Sequence, residues 1–442
     1  METAAKPTAI AEEKPKRTDR QIWGIYIALC LISIVELYSA SSHEVTAANV
    51  LSPVIRHVVF LGIGLVLILL LQRTHYKKFY RWSWVFATIS VLAMVWTLFF
   101  GITINGAQRA FSILGFTIQP SEMVKLSSAL MIAAILCKEQ MKGVDDVTDK
   151  GVIYSTAVVL VCCGLLFSQG LTNTILLMAI SLSMMVIGGV GGKKLLKVLL
   201  VFLVAGCIGM GVKLLRASGS SEEVKVEQVI TTVPGTDVKV GVSDADKGFG
   251  NEGGRLDTWI NRVSRFLKSD KYTETITNEN RQEQYSYIAQ AHGGMFGVMP
   301  GNSRETARLP LAFSDYIYAI VIEELGLFGG IFVLVLYLWL LARAGRVASR
   351  CQTAFPALLV IGMAVFIAYQ AIFHMAIVTG VFPVSGQPLP LISKGGTSIL
   401  MTSIAIGVML SVSRHAARKG KKAEIKEELS ELSEEINAIN PT

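Results

Sequence analysis

Leu309-Pro310-Leu311-Ala312-Phe313-Ser314-Asp315-Tyr316-Ile317-Tyr318 joins the longest polar stretch of this chain to an apolar run long enough to cross a bilayer. Asp315 stands at that junction, in the first turn of the helix that the run predicts. Two roles suit a carboxylate there. As an N-cap it would accept hydrogen bonds from orphan backbone donors. As a partly desolvated acid at a water–lipid boundary, its pKa would rise towards the range where it takes a proton at neutral pH.

Working outward, the chain of 442 residues is 52% hydrophobic and only 17% charged, where a soluble protein of this size carries about a quarter. Its mean hydropathy is +0.51. These values define a multi-span membrane protein. The polar, basic N-terminus shows no cleavable signal pattern, so 22–40 is expected to be the first retained span. The net charge of +8 suggests nucleic-acid binding only if its location is ignored. Lys and Arg cluster in the short segments between spans, as the positive-inside rule requires, and no nucleic acid is expected. Cys30, Cys137, Cys162, Cys163, Cys207 and Cys351 lie in or beside apolar runs, which argues against a disulfide framework or a Cys-based metal site.

The expected fold is an all-α polytopic membrane protein with about ten spans, at 22–41, 54–72, 82–100, 120–137, 152–169, 172–190, 198–215, 315–342, 354–379 and 397–413. The basic connections 73–81, 138–150, 193–197 and 343–350 place both termini in the cytoplasm. The organisation is then a cytoplasmic tail (1–21), spans one to seven (22–216) and a large extracytoplasmic loop (217–314). Spans eight to ten (315–413) follow, with a re-entrant loop at 381–396, and then a cytoplasmic tail (414–442). Within the large loop, 224–242 suits a small hairpin, and 255–271, basic with Trp259 and Phe266, suits an amphipathic surface helix. The Glu-rich tail after Lys422 reads as a solvated helix or a disordered tail, with a partner contact as a further role.

Chemistry concentrates in three segments on the outer side. Gln119-Pro120-Ser121-Glu122 and Lys125 open the fourth span. An intramembrane Lys is costly and points to function, although a structural Glu122–Lys125 pair at i,i+3 is the plain alternative. Arg109, from the preceding outer segment, adds a cation suited to a phosphate-bearing headgroup. Gly293-Gly294-Met295-Phe296-Gly297 is turn chemistry, and Arg304 and Arg308 beyond it invite anion contact. Glu323 falls on the face of Asp315, and Glu324 is rotated away; acids so placed are usually paired with a Lys or Arg of a neighbouring span. The run Pro383 to Ser398, with Ser393 and Lys394 near its end, carries too many Pro and Gly residues to face lipid and must pack inside protein. Lys394 either holds a phosphate or snorkels to the surface.

Taken together, Gly106-Ala107-Gln108-Arg109 with Gln119-Pro120-Ser121-Glu122 and Lys125, Gly293-Gly294 with Leu309-Pro310, Asp315-Tyr316-Ile317-Tyr318-Ala319 and Glu323-Glu324-Leu325-Gly326, and Pro388-Leu389-Pro390-Leu391-Ile392-Ser393 with Gly395-Gly396-Thr397-Ser398 resemble the SEDS glycosyltransferases of bacterial cell-wall synthesis, typified by FtsW and RodA. The resemblance covers nearly the whole chain, and the long charged tails lean towards the division member. It implies a peptidoglycan glycosyltransferase that polymerises lipid II into glycan strands with release of undecaprenyl diphosphate, in division or elongation. It also implies location in the bacterial cytoplasmic (inner) membrane, a class B penicillin-binding protein transpeptidase as partner, and small bitopic regulators for the division member. The family's catalytic aspartate falls on Asp315, which would act as general base. Arg109, Gln119, Glu122, Lys125, Arg304, Arg308, Glu323, Ser393 and Lys394 form the expected substrate-binding set. No metal site is assigned from spacing, though a divalent cation on the diphosphate is compatible with such chemistry. Three positions depart from the family pattern: Ala110 follows Arg109 where an aromatic is common, Lys394 replaces a Tyr, and Gln169-Gly170-Leu171 lacks the acid of a Gln-Pro-Asp motif. A lipid flippase or transporter would also use intramembrane charges and a re-entrant loop, and a scaffold without activity would tolerate loss of Asp315 while keeping its partners.

Overall fold

The computed structural model describes residues 18–42, 51–104, 107–113, 116–140, 147–219, 262–267, 272, 274–277, 280–309, 312–416 and 429–436. Seven helices come first: α1 (Arg20–Ser42), α2 (Leu51–Leu71), α3 (Lys78–Phe100), α4 (Pro120–Gln140), α5 (Asp149–Gln169), α6 (Leu171–Ile187) and α7 (Gly192–Gly219). A short helix α8 (262–267) precedes α9 (Arg281–Gly293), α10 (Ile317–Ala348), α11 (Ala354–Val378), α12 (Gly396–His415) and a short last helix α13 (429–436). The chain is thus an all-α multi-pass membrane protein, as its composition requires. Among the described residues eight helices, α1 to α5 and α10 to α12, are long and apolar enough to cross a membrane. α6, with 17 residues, is shorter, and α7 has 28.

The 101–118 segment, expected only as an outer loop, forms a three-stranded antiparallel sheet: β1 (Ile102–Ile104), β2 (Ala107–Ile113) and β3 (Phe116–Ile118), in the order β1-β2-β3. The β-branched and aromatic residues of these strands favour an extended backbone. Asn105-Gly106 is a strong sequence signal for a tight hairpin between β1 and β2, although those two residues lie outside the described ones.

α4 is enclosed along its length by neighbours, and α11 and α12 are largely buried, whereas α2, α3 and α10 expose broad apolar faces. Small residues such as Ser127, Ser128, Ala129, Ala133 and Ala134 let the other helices close around α4. The basic connections gather at one end of the bundle. There Asp19 pairs with Arg343 at 2.7 Å and accepts Arg343 Nε at 2.8 Å, while its backbone N–H donates to Ser413. His75 stacks on His415 at the same end, and Lys77 pairs with Glu431 of α13. Leu432 is buried, so the part of the tail that is described is docked rather than solvated. Apolar contact beside a salt bridge holds it there. Of the two elements expected in the large loop, 224–242 lies outside the described residues, and only 262–267 of the basic helix is seen.

The glycine-rich turn after α9 serves α10. Gly326 has φ 73°, ψ −178°, and breaks α10 into two helical runs. That break frees backbone carbonyls, which the turn satisfies: Val298 N–H donates to Glu323 O (3.0 Å) and Met299 N–H to Glu324 O (2.9 Å), while Leu327 N–H donates to Gly294 O (3.0 Å). A Cβ on Gly326 would drive into the backbone of Met295 and Gly297, and one on Gly297 into Glu324 and Gly326. Only glycine permits this approach. Gly326→Ala is expected to cost at least about 1–3 kcal/mol and to lower the unfolding temperature of the detergent-purified protein, measured by tryptophan fluorescence. A variant as stable as the parent would show that the kink relaxes freely.

Candidate active site

Asp315 does not cap α10. The N-cap is Tyr316, the residue immediately before Ile317, and it makes no side-chain cap hydrogen bond. Asp315 instead lines a cavity of about 230 Å³, with Arg109 from β2, Gln119, Ser121 and Glu122 at the start of α4, Gln169 and Asn173 at the α5–α6 junction, and Gly386, Gln387 and Lys394. Residues 381–395 supply one wall. They hold neither helix nor strand, and Leu389, Leu391, Ile392 and Ser393 are buried.

This irregular wall is clamped onto Asp315 by its own polar groups. Ser393 Oγ donates to Ser314 O (2.7 Å) and accepts from Leu389 N–H (2.7 Å), and Lys394 N–H donates to Phe313 O (2.9 Å). The clamp presses Gly386 against the acid: a Cβ there would lie 2.8 Å from Asp315 Oδ2. Burial pushes the Asp315 carboxyl above the ordinary carboxylate range. A hydrogen bond from Ser314 and the charges of Arg109 and Arg262 oppose part of that rise. An acid so tuned is a better proton acceptor than one in water.

Lys125 is wholly buried and does not line the cavity. Its Nζ pairs with Glu122 Oε1 at 2.7 Å and reaches Gln387 Oε1 at 3.4 Å. The second oxygen of Glu122 accepts Gln370 Nε2 of α11 at 2.7 Å, and Gln387 Nε2 donates to Asn173 Oδ1 at 2.9 Å. His374 Nδ1 lies 2.6 Å from Gln387 O; facing a carbonyl, it carries the proton and donates. One network therefore ties α4, α6 and α11 to the irregular wall. With both oxygens of Glu122 engaged, Asp315 is the carboxylate presented to the cavity.

Arg109, Gln119, Glu122 and Lys394 meet around Asp315, and Ser393 positions the wall behind them. Arg304, Arg308 and Glu323 sit elsewhere. The Arg304 and Arg308 side chains are exposed, with Arg308 3.5 Å from Glu305. Glu323 accepts from Ser303 Oγ (2.5 Å), Arg304 N–H (3.0 Å) and His292 Nδ1 (2.9 Å), and so anchors the turn that leads towards Asp315. Glu324 takes Ser39 Oγ and the Gly301 N–H. Among the described residues neither acid pairs with a Lys or Arg of a neighbouring span: donors of the turn and His292 hold Glu323, while Glu324 takes Ser39 of α1 and the Gly301 N–H on one oxygen. Arg262, Gln169, Asn173, Gln370 and Gln387 were not singled out as binding residues from sequence. Gln370, a lone amide in an otherwise apolar helix, carried the clearest signal. Among the described residues no group of three or more His, Cys, Asp or Glu could hold a metal ion.

A sequence model of the FtsW/RodA/SpoVE family, described as cell cycle proteins, matches residues 19–229 and 255–418. The chain belongs to that family of membrane proteins. It is 28% identical over 420 residues to the probable peptidoglycan glycosyltransferase FtsW of Trichlorobacter lovleyi, covering 93% of this chain and 96% of that one. To stage V sporulation protein E of Bacillus subtilis it is 26% identical over 413 residues, covering 91% and 99%. Its fold matches a solved peptidoglycan synthase complex with coordinated polymerization and crosslinking (TM-score 0.63, 22% identity, 90% and 98% covered). It also matches the rod shape determining protein RodA of Thermus thermophilus (TM-score 0.59, 20% identity, 93% and 100% covered).

The buried network yields a double-variant test. Removing one partner of a buried pair strands a charge and costs about 3–5 kcal/mol, whereas replacing both with apolar groups is often neutral. Lys125→Met alone is expected to destabilise strongly, and adding Glu122→Leu to recover much of the lost unfolding temperature in a thermal-shift assay. If the double variant recovers nothing, the pair does not act mainly on each other.

Proposed function

We propose that the chain is a peptidoglycan glycosyltransferase that polymerises lipid II, with Asp315 as its general base. The observation that carries this reading is one carboxylate, raised by burial, facing a cavity that also presents Arg109 and Lys394. The relatives named as probable peptidoglycan glycosyltransferases support it. In the reaction, Asp315 takes the proton of the acceptor sugar's 4-hydroxyl. That oxygen attacks the donor's anomeric carbon from the face opposite the leaving group, the bond to the diphosphate breaks, and the configuration inverts. Undecaprenyl diphosphate departs with the bonding electron pair. Arg109 and Lys394 hold the charge that develops on the diphosphate, fixed in place before the reaction begins. Gln119 and Glu122 shape the cavity wall, Lys125 and Ser393 fix its geometry, and Glu323, Arg304 and Arg308 order the approach to Asp315.

The gathering of basic connections at the end opposite this cavity supports placement in the bacterial cytoplasmic membrane with both termini inside. If α6 and α7 also cross, the spans number ten. The likeness to a synthase complex that couples polymerization to crosslinking supports a penicillin-binding protein transpeptidase as the working partner.

Asp315→Asn is expected to cut polymerisation of fluorescent lipid II, assayed with the transpeptidase present, by about 10²–10⁴-fold. Undiminished polymer would remove Asp315 as base. Stability should move the other way. A carboxyl whose folded pKa is raised favours the fold below its unfolded pKa and loses that contribution as pH rises through the folded value. Asp315→Asn should therefore unfold at a higher temperature than the parent at pH 8, with the difference vanishing near pH 4. A destabilised variant at pH 8 would contradict the burial cost.

A further inference from the structure

At the opposite end of α10 from Asp315, where the basic connections gather, a cavity of about 310 Å³ opens between the start of α1 and the last turns of α10 and α12. Three arginines line it, Arg20, Arg343 and Arg350, against one carboxylate, Asp19. That carboxylate is already engaged. Its Oδ1 accepts the Gln21 N–H (3.0 Å) and the Ile22 N–H (3.3 Å), which caps α1, and its Oδ2 accepts Arg343 Nε (2.8 Å). Arg20 and Arg350 are exposed, and among the described residues neither pairs with an acid. The lining therefore keeps a surplus of two positive charges.

We propose that Arg20 and Arg350 receive the phosphate of an anionic phospholipid headgroup. Guanidinium forks match phosphate oxygens, and basic pockets between spans hold lipid headgroups. A lipid seated here has apolar surface to lie against on both helices. Ile27 and Leu31, seven and eleven residues beyond Arg20, return to its side of α1 at 3.6 residues per turn, and both are exposed. On α10, which packs against α1, Phe332, Val335 and Trp339 are exposed along the stretch that leads to the cavity. A zwitterionic headgroup would bring its own ammonium into the positive surplus. A soluble anion would meet the charges without the apolar faces. That the lipid belongs to the inner leaflet rests on the proposed orientation; the site itself rests neither on that nor on the glycosyltransferase reading.

The test titrates the full chain, delipidated in a neutral detergent, with phosphatidylglycerol, phosphatidylcholine and inorganic phosphate in turn, and follows binding by native mass spectrometry. Phosphatidylglycerol is expected to bind the parent more tightly than phosphatidylcholine. Arg20→Gln and Arg350→Gln should each weaken it about fivefold, and the double variant about thirtyfold, as is usual for basic residues near anionic lipid. Arg346→Gln removes an exposed arginine of α10 that does not line the cavity, and should leave the affinity unchanged. Equal affinity of the parent for the two lipids, an unaltered double variant, or the same loss in Arg346→Gln would overturn the site. Inorganic phosphate held by Arg20 and Arg350 as tightly as the lipid would overturn the lipid assignment. Both arginines are exposed, so the variants should fold, and unfolding temperatures measured without lipid check it. If the double variant unfolds early, the two single variants decide the outcome.

Discussion

The buried Glu122–Lys125 ion pair is the interaction on which the rest of the site depends. Within a bilayer a lone charge at this depth is costly, and irregular backbone facing lipid is not tolerated. The pair answers both constraints at once. Lys125 neutralises Glu122 and extends to Gln387, and Glu122 binds Gln370, so an uncoiled segment is fixed at the centre of a helical bundle. The core helices supply a rigid surround, and α4 supplies the axis.

Everything that makes Asp315 distinctive follows from that fixed segment. The segment's backbone and Ser393 bind Phe313 and Ser314, and Gly386 leaves room for the carboxylate without admitting much else. The acid is withdrawn from water, its affinity for a proton rises, and Arg109 stands near enough to moderate that rise. Free energy gained by packing the wall is thus partly spent on keeping a carboxylate where it is uncomfortable, which is common for catalytic groups. On the far side of the kinked α10, the glycine turn and Glu323 hold the approach to Asp315 from behind.

Much of this was legible in the sequence, for physical reasons. Apolar runs of bilayer length, basic connections and a Pro/Gly segment are local signals that lipid imposes on any chain. They gave the helices and the buried irregular wall. The grouping of Asp315, Arg109, Gln119, Glu122 and Lys394 came through motif resemblance rather than spacing, since these residues come from three segments well separated along the chain. What stayed hidden was partnership. The i,i+3 spacing offers the Glu122–Lys125 pair, but nothing local tells that Glu122 also binds Gln370, or that Glu323 is satisfied by a turn twenty residues upstream. The sheet at 101–118 was missed although Asn105-Gly106 announced it, because an outer segment between spans invites a loop reading. Gln387 became visible only once its three partners were in place.

The claim that Asp315 is a base tuned by its surroundings meets its most direct test in the pH dependence of lipid II polymerisation. The rate should rise along a single limb whose midpoint lies above the ordinary carboxylate range of about 4. In Arg109→Gln, which removes a charge that favours the ionised acid, the residual activity should show that limb moved to higher pH. A limb whose midpoint lies at or below about 4, or one that Arg109→Gln leaves in place, would contradict it.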